Sequence, residues 1–285
     1  MSLRRTSILV GLIGAGIQES RAPAMHECEG AAQGLNYVYR LIDLDGQGFE
    51  VGALPELMGA AERMGFDGLN ITHPCKQAVM PILTELSDDA RAIGAVNTVL
   101  LQNGRRIGHN TDWSGFAESF RLALPDAALQ RVVQLGAGGA GSAVAHAALT
   151  LGVERLAILD TDPDRARGLV SRLDAHFGKG RAIAAMDVET ELADANGLIH
   201  ATPTGMAKHP GLPLPANLLR PKLWVAEIVY FPLETELLRT AKALGCRCLD
   251  GGGMAAFQAA GAFRLFTGLE PDVDRMRRHF DSMMR

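Results

Sequence analysis

At 285 residues the chain is long enough to build two cores of ordinary size. Its hydrophobic fraction of 47% and charged fraction of 21% are those of a soluble globular protein. A net charge of −4 argues against a nucleic-acid surface, whose affinity comes from neutralising phosphates, and no run of about 20 apolar residues could span a bilayer. Ser7 to Ile13 is apolar but too short for a signal peptide and runs on into a glycine loop, so a cytoplasmic protein is expected.

In chain order, Ile8–Ile13, Leu35–Ile42, Gly68–Thr72 and Val96–Leu101 read as strands. Leu54, Leu57, Met58, Ala61 and Met64 repeat at helical spacing between them, as do Val79, Ile82, Leu83 and Leu86. Asn103-Gly104 is a hairpin signal that joins Val96–Leu101 to a strand at Arg106–His109. From Arg131 the pattern restarts, with strands expected at Arg131–Leu135, Arg155–Leu159, Gly197–Ala201, Trp224–Val229 and Cys246–Leu249. Helices fall at Pro163–Phe177 and Leu233–Leu244. Two more, Met254–Thr267 and Val273–Met283, follow a Gly251-Gly252-Gly253 hinge.

This alternation gives an α/β class: an N-terminal α/β substrate domain and a Rossmann-type doubly wound parallel sheet, with a cleft between them. The boundaries expected are residues 1–112, completed by the C-terminal helices at 254–285, and 113–253 for the dinucleotide domain. Cys28, Cys75, Cys246 and Cys248 show no framework of spacings and read as structural, with Cys246 and Cys248 on opposite faces of one strand. His26, His73 and His109 fall among expected loops, and no metal-ligand spacing is present. Arg275, Arg277 and Arg278 read as a solvated helix face.

Val132 to Leu135 passes into Gly136-Ala137-Gly138-Gly139-Ala140-Gly141 and then into a helix-forming stretch from Ser142. Strand, tight glycine turn and helix N-terminus are what a dinucleotide pyrophosphate requires, and Gly136, Gly138 and Gly141 match the fingerprint spacing. Asp160 ends the next strand, 24 residues after Gly136, where an acid would hold the ribose hydroxyls of NAD and repel the 2′-phosphate of NADP. Arg165 is the nearest cation that could face that phosphate; an ordinary cap of the turn at Pro163-Asp164-Arg165 is the alternative use of Asp160. NAD is favoured over NADP.

Polar residues gather at strand ends of the first domain: Asn70 to Lys76, Ala95 to Thr98, and His109 to Asp112. Ligands of α/β sheets bind at such ends. Oxidising an alcohol by hydride loss needs a base for the hydroxyl proton, and Lys76 and Asp112 suit that task, although each alone would also suit a surface ion pair or a cap.

These segments, with Gly11–Glu27, Gly136–Gly141, Ala201-Thr202-Pro203-Thr204-Gly205-Met206 and Asp250–Gln258, resemble the shikimate dehydrogenases, most closely their NAD-using quinate/shikimate branch. The resemblance covers nearly the whole chain. It implies a shikimate-like cyclic polyol carboxylate as the small-molecule substrate, with hydride passing between its C3 carbon and nicotinamide, and a place in aromatic amino acid biosynthesis. It implies a Lys76–Asp112 catalytic dyad, with Asn70, Thr72, Asn97, Tyr230 and Gln258 on the ring hydroxyls and Ser20 on the carboxylate. Thr202, Gly253 and Met254 would lie along the nicotinamide half, and the protein would be a monomer or homodimer.

Two positions depart from the family pattern. Ala22 stands where a second hydroxyl usually follows Ser20, and Glu227 stands where Asp is common. Ala22 bears on the substrate more than on the reaction, so dehydrogenation of a relative such as aminoshikimate, or a non-catalytic metabolite sensor, are alternative readings. A methylenetetrahydrofolate-type dehydrogenase shares the domain plan but lacks the Asn110–Asp112 and Asp250–Gln258 matches.

Overall fold

The computed structural model describes residues 7–284; Met1 to Thr6 and Arg285, parts of the expected first domain, lie outside the described residues. The chain divides into two compact units. One holds the residues up to Thr111 and those from Ala256 on; the other is Asp112–Ala255.

The first unit runs β1 (Ser7–Gly14), α1 (Ala22–Ala32), β2 (Asn36–Asp43), α2 (Leu44–Gln47), α3 (Leu54–Arg63), β3 (Gly68–Ile71), α4 (Cys75–Ala78), β4 (Glu85–Leu86), α5 (Asp88–Ile93), β5 (Thr98–Gln102) and β6 (Arg105–His109). Its sheet has the order β2-β1-β3-β5-β6-β4. β1 is parallel to β2 and β3, whereas β5 is antiparallel to both β3 and β6. The β5–β6 hairpin forms at Asn103-Gly104, with both residues left-handed at φ 53° and 72°. This reversal brings the start of β5 to the same end of the sheet as the carboxyl ends of β3 and β6: Asn70 pairs with Thr98, and Thr98 with His109.

The second unit runs α6 (Asp112–Ala123), β7 (Arg131–Leu135), α7 (Gly139–Thr150), β8 (Arg155–Leu159), α8 (Pro163–Phe177), β9 (Ala182–Ala184), α9 (Val188–Ala193), β10 (Gly197–His200), β11 (Trp224–Glu227), α10 (Glu236–Ala243) and β12 (Arg247–Leu249). Its sheet is wholly parallel, in the order β12-β11-β10-β7-β8-β9. Buried on both faces, its four central strands β7, β8, β10 and β11 are near-continuous apolar runs. The strand order reverses between β7 and β10, so a ligand crevice is expected at their carboxyl ends. α11 (Gly251–Thr267) opens in this unit and continues in the first, and α12 (Val273–Met283) completes the first.

Several expectations need correction. Val79 to Leu86 is not a helix but a 3-10 turn at Met80–Ile82 followed by β4; Pro81 removes a backbone donor, and the apolar spacing reflects burial against Leu54 and Met58. Gly251 to Gly253 is not a hinge but the first turn of α11, with Asp250 Oδ1 accepting the Gly252 N–H at 2.9 Å. A Cβ on Gly253 would stand 2.1 Å from Ser119 Oγ of α6, so glycine is needed there for close helix packing. Cys246 and Cys248 pack on one and the same apolar cluster with Val133, Leu198 and Val225, because residues two apart on a strand share a face. Helices α1, α2, α5, α6 and α9 and strand β9 stand where the sequence pattern predicts no element.

Arg275 is not on a free solvated face. Glu29 of α1 is buried, and its carboxylate receives Arg275 Nε and Nη2 at 2.8 Å each and the Asp272 N–H at 2.9 Å. Burial alone would raise the Glu29 pKa, but these bonds outweigh it and hold the carboxyl below its ordinary value. The pair ties α12 to α1, and Phe263 and Phe266 of α11 complete an apolar cluster with Val10, Leu12 and Tyr37.

His26 and His109 lie on α1 and β6 rather than on loops. Burial pushes the pKa of His26 down to about 3; burial, then His176, pushes that of His146 on α7 down to about 4. Both folded values lie below the unfolded value of about 6.5, so the unfolded chain binds more protons as the pH falls. Full stability is therefore present above about pH 6.5 and is lost progressively from there toward pH 4 and 3. At pH 5 each histidine is expected to cost about 2 kcal/mol. Urea unfolding at pH 7.5 and 5.0 checks this: His26→Leu and His146→Leu should each flatten the dependence, and an unchanged slope in both would refute it.

Candidate active site

At the carboxyl end of β3, the first unit carries a buried chain of amides and hydroxyls. Tyr39 Oη donates to Asn70 Oδ1 at 2.8 Å, and Asn70 Nδ2 donates to the Asn97 carbonyl at 3.2 Å and Thr98 Oγ1 at 3.0 Å. Thr98 Oγ1 donates to Asn97 Oδ1 at 3.0 Å, which also accepts the Thr111 N–H at 2.8 Å. Asn97 Nδ2 donates to Thr111 Oγ1, which donates to the Gln258 carbonyl at 3.0 Å. Asn110 Nδ2 donates to the Ala95 carbonyl at 2.9 Å. Such a network holds its polar ends in fixed directions, because a partner lost inside a low-dielectric interior is costly.

Thr72 and Lys76 join this end of the sheet through the backbone. The Thr72 N–H donates to the Ile13 carbonyl, and the Lys76 carbonyl accepts the Val96 N–H, each at 2.9 Å. Lys76 is thereby tied one residue away from Asn97. Ser20 follows β1, and its Oγ accepts the Ala22 N–H at 3.3 Å, which leaves the hydroxyl hydrogen free to be donated elsewhere. Arg21 beside it has a buried Nε without a hydrogen-bond partner.

In the second unit, Gly136 is left-handed at φ 102°, and a Cβ there would lie 2.4 Å from the Ala201 carbonyl oxygen. One on Gly141 would lie 2.3 Å from the Gly136 carbonyl oxygen, whereas one on Gly138 would meet nothing within 4 Å. The first and third glycines thus permit close packing of strand, loop and helix, and the second leaves room for a ligand. α7 starts at Gly139 with no side-chain cap, so its first N–H groups are available to an anion. Gln134 Nε2 clamps the loop by donating to the Gly136 and Gly141 carbonyls, both at 2.8 Å. Asp160 Oδ2 accepts the Ala137 N–H at 2.7 Å and Oδ1 the Asp162 N–H at 2.9 Å. Asp160 does not cap α8; Asp162 does, accepting the Asp164 N–H. These residues fit a dinucleotide: an anion-binding helix start, an open cradle at Gly138, and a carboxylate held at the end of β8.

The region of residues 12–99 matches the shikimate dehydrogenase substrate binding domain, and residues 251–279 match the shikimate 5′-dehydrogenase C-terminal domain. The chain is 62% identical to a shikimate dehydrogenase (NADP(+)) of Streptomyces avermitilis over 96% of its length and 95% of the relative's. The chain belongs to the shikimate dehydrogenase family. Within the family it is also 52% identical to a quinate/shikimate dehydrogenase (NAD(+)) of Corynebacterium efficiens, over 99% of this chain and all of that one (100%). The solved structure of quinate dehydrogenase from Corynebacterium glutamicum in complex with NAD superposes with a TM-score of 0.90 at 50% identity, covering 98% of this chain and 100% of that one.

The residues that the family resemblance implies divide between the two units. Ser20, Asn70, Thr72, Lys76, Asn97 and Gln258 lie in the first; Asp112, Asp160, Arg165, Thr202, Tyr230, Gly253 and Met254 lie in the second with the glycine loop. Asp112 is buried at the start of α6, and Met254 packs into the second unit's core with Phe116 and Trp224. Arg165 faces solvent and pairs with Asp162 at 3.4 Å. Among the polar residues to which the sequence assigns no role are Tyr39, Thr98, Asn110 and Thr111 in the first unit and Gln134, His200 and Glu227 in the second. The available signal was a polar side chain inside or at the end of an apolar strand, where burial requires a partner.

Proposed function

We propose that this chain is an NAD-dependent dehydrogenase of shikimate, quinate or both, interconverting the C3 alcohol and the 3-dehydro acid. The observation that carries the reading is the Asp160 carboxylate, anchored on the Ala137 and Asp162 N–H groups beside the glycine loop. A fixed negative charge there accepts from ribose hydroxyls and repels a 2′-phosphate. The 52% identity to a relative named for NAD supports it; the 62% identity to one named for NADP is the reason a direct test is needed.

When bound, the nicotinamide supplies the hydride acceptor. Lys76 takes the proton of the substrate hydroxyl as the C3 hydrogen departs with its electron pair, and Asp112 orients and charges the pair. Asn70, Thr72, Asn97, Tyr230 and Gln258 hold the ring hydroxyls, and Ser20 donates to the carboxylate. The pre-arranged amide chain supports this division of labour, because its orientation costs nothing at the moment of binding.

Steady-state reduction of NAD and of NADP with shikimate, quinate and aminoshikimate tests the reading. Turnover of shikimate or quinate with NAD well above NADP is expected. Asp160→Ala should raise the KM for NAD about tenfold and that for NADP less, since it removes a repulsion along with an acceptor. A clear preference for NADP, or equal effects of Asp160→Ala on both, would refute the NAD assignment.

A further inference from the structure

We propose that His200 and Glu227 are positioning residues that commit the Thr202 hydroxyl to act as a hydrogen-bond acceptor toward the dinucleotide; this rests on the reading that the second unit binds a nicotinamide dinucleotide. His200 and Glu227 end the neighbouring strands β10 and β11 and are paired in register. Both side chains are 0% exposed. Burying a carboxylate and an imidazole at the end of two apolar strands is unfavourable unless every polar atom is satisfied.

Here they are satisfied. Glu227 Oε1 accepts from His200 Nδ1 at 2.8 Å and from the Val229 N–H at 3.0 Å, while Oε2 accepts from Thr235 Oγ1, the cap of α10, at 3.0 Å. An ionised carboxylate only accepts, so Nδ1 of the imidazole carries the hydrogen. In the neutral ring, Nε2 is then an acceptor, and it lies 2.5 Å from Thr202 Oγ1. Toward a neutral ring, Thr202 donates its hydrogen to Nε2. The same oxygen accepts the Thr204 N–H at 3.3 Å. What remains is one lone pair on a half-buried hydroxyl.

That hydroxyl stands at the switch point of the sheet. Thr202 Cγ2 would lie 3.1 Å from a Cβ on Gly136, the first glycine of the phosphate loop. Glu227 holds the ends of β10 and β11 and the start of α10, so the Thr202 lone pair is fixed relative to the loop. A hydroxyl that can only accept suits the amide N–H of a nicotinamide carboxamide, and it rejects a ligand that offers only an acceptor there.

The test is NADH affinity by fluorescence titration without substrate, on the parent, His200→Phe, Thr202→Val, Thr202→Ser and the His200→Phe/Thr202→Val double variant. Thr202→Val and His200→Phe are each expected to weaken binding about fivefold, and Thr202→Ser to stay within about twofold. The double variant should bind no more weakly than Thr202→Val alone, since His200 acts through Thr202. Effects that add, or a Thr202→Val protein that binds like the parent, would overturn the proposal. Shikimate affinity without dinucleotide should be unchanged throughout, which separates this role from a general loss of structure. Should His200→Phe fail to fold, Glu227→Gln takes its place, expected to weaken NADH binding without adding to Thr202→Val. A parent that binds neither NADH nor, in the same titration, NADPH overturns the functional reading and this proposal with it.

Discussion

Replacing Lys76 with alanine is expected to cut turnover by roughly 10²–10⁴-fold, the usual worth of a positioned general base, while NADH affinity stays at the parent's level. The backbone of Lys76 is held by the Val96 N–H at 2.9 Å, and Cys75 beside it is buried in the core, so the truncation should leave α4 in place. Lys76→Arg separates proton transfer from charge. A guanidinium stays protonated and cannot serve as the base, so this variant should be nearly as slow as Lys76→Ala despite keeping its positive charge. Single-turnover hydride transfer and steady-state kcat give the measurement. Parent-like turnover in folded Lys76→Ala would remove Lys76 from the mechanism. Recovery in Lys76→Arg alone would reassign it to electrostatic binding.

Arg275→Ala is expected to destabilise the protein by about 3 kcal/mol. It leaves the Glu29 carboxylate buried, with only the Asp272 N–H and Gln33 as partners. The Arg275 side chain is 35% exposed, which places the cost at the low end of that for breaking a buried pair. The lowered Glu29 pKa gives a second readout. A carboxyl held below its unfolded value contributes stability that is present above the unfolded pKa and is lost as the pH falls through the folded one. Arg275→Ala should reduce that acid-limb slope, and Glu29→Gln should recover part of the stability by removing the stranded charge. Urea unfolding at pH 7.5 and 3.5 decides it; a variant within about 0.5 kcal/mol of the parent would mean that the pair contributes little.

The pattern that was legible in the chain was local. The glycine spacing at Gly136, Gly138 and Gly141, the acid at Asp160 and the strands Arg131–Leu135 and Arg155–Leu159 follow from short-range geometry, and they stand in the structure at those positions. The hairpin at Asn103-Gly104 was legible for the same reason. Where spacing misled, a second constraint had overridden the period. Pro81 prevents a helix in an apolar run with helical spacing, and the glycines at 251–253 serve helix packing against Ser119, not flexibility.

Sequence by itself thus determined the two-part α/β plan, the strand–glycine turn–helix unit at residues 131–150 and the family, because strand–turn–helix chemistry repeats over windows of a few residues. Only the tertiary structure decided which polar residues meet. The antiparallel turn of β5 brings Asn97 and Thr111 to the end of β3 beside Asn70, 27 residues from Asn97 along the chain. Likewise, Glu227 reaches His200 across 27 residues, and Arg275 reaches Glu29 across 246. Each of these pairs exists because burial demands a partner for a polar group, and which partner is near is a property of strand order and register, not of any window of sequence.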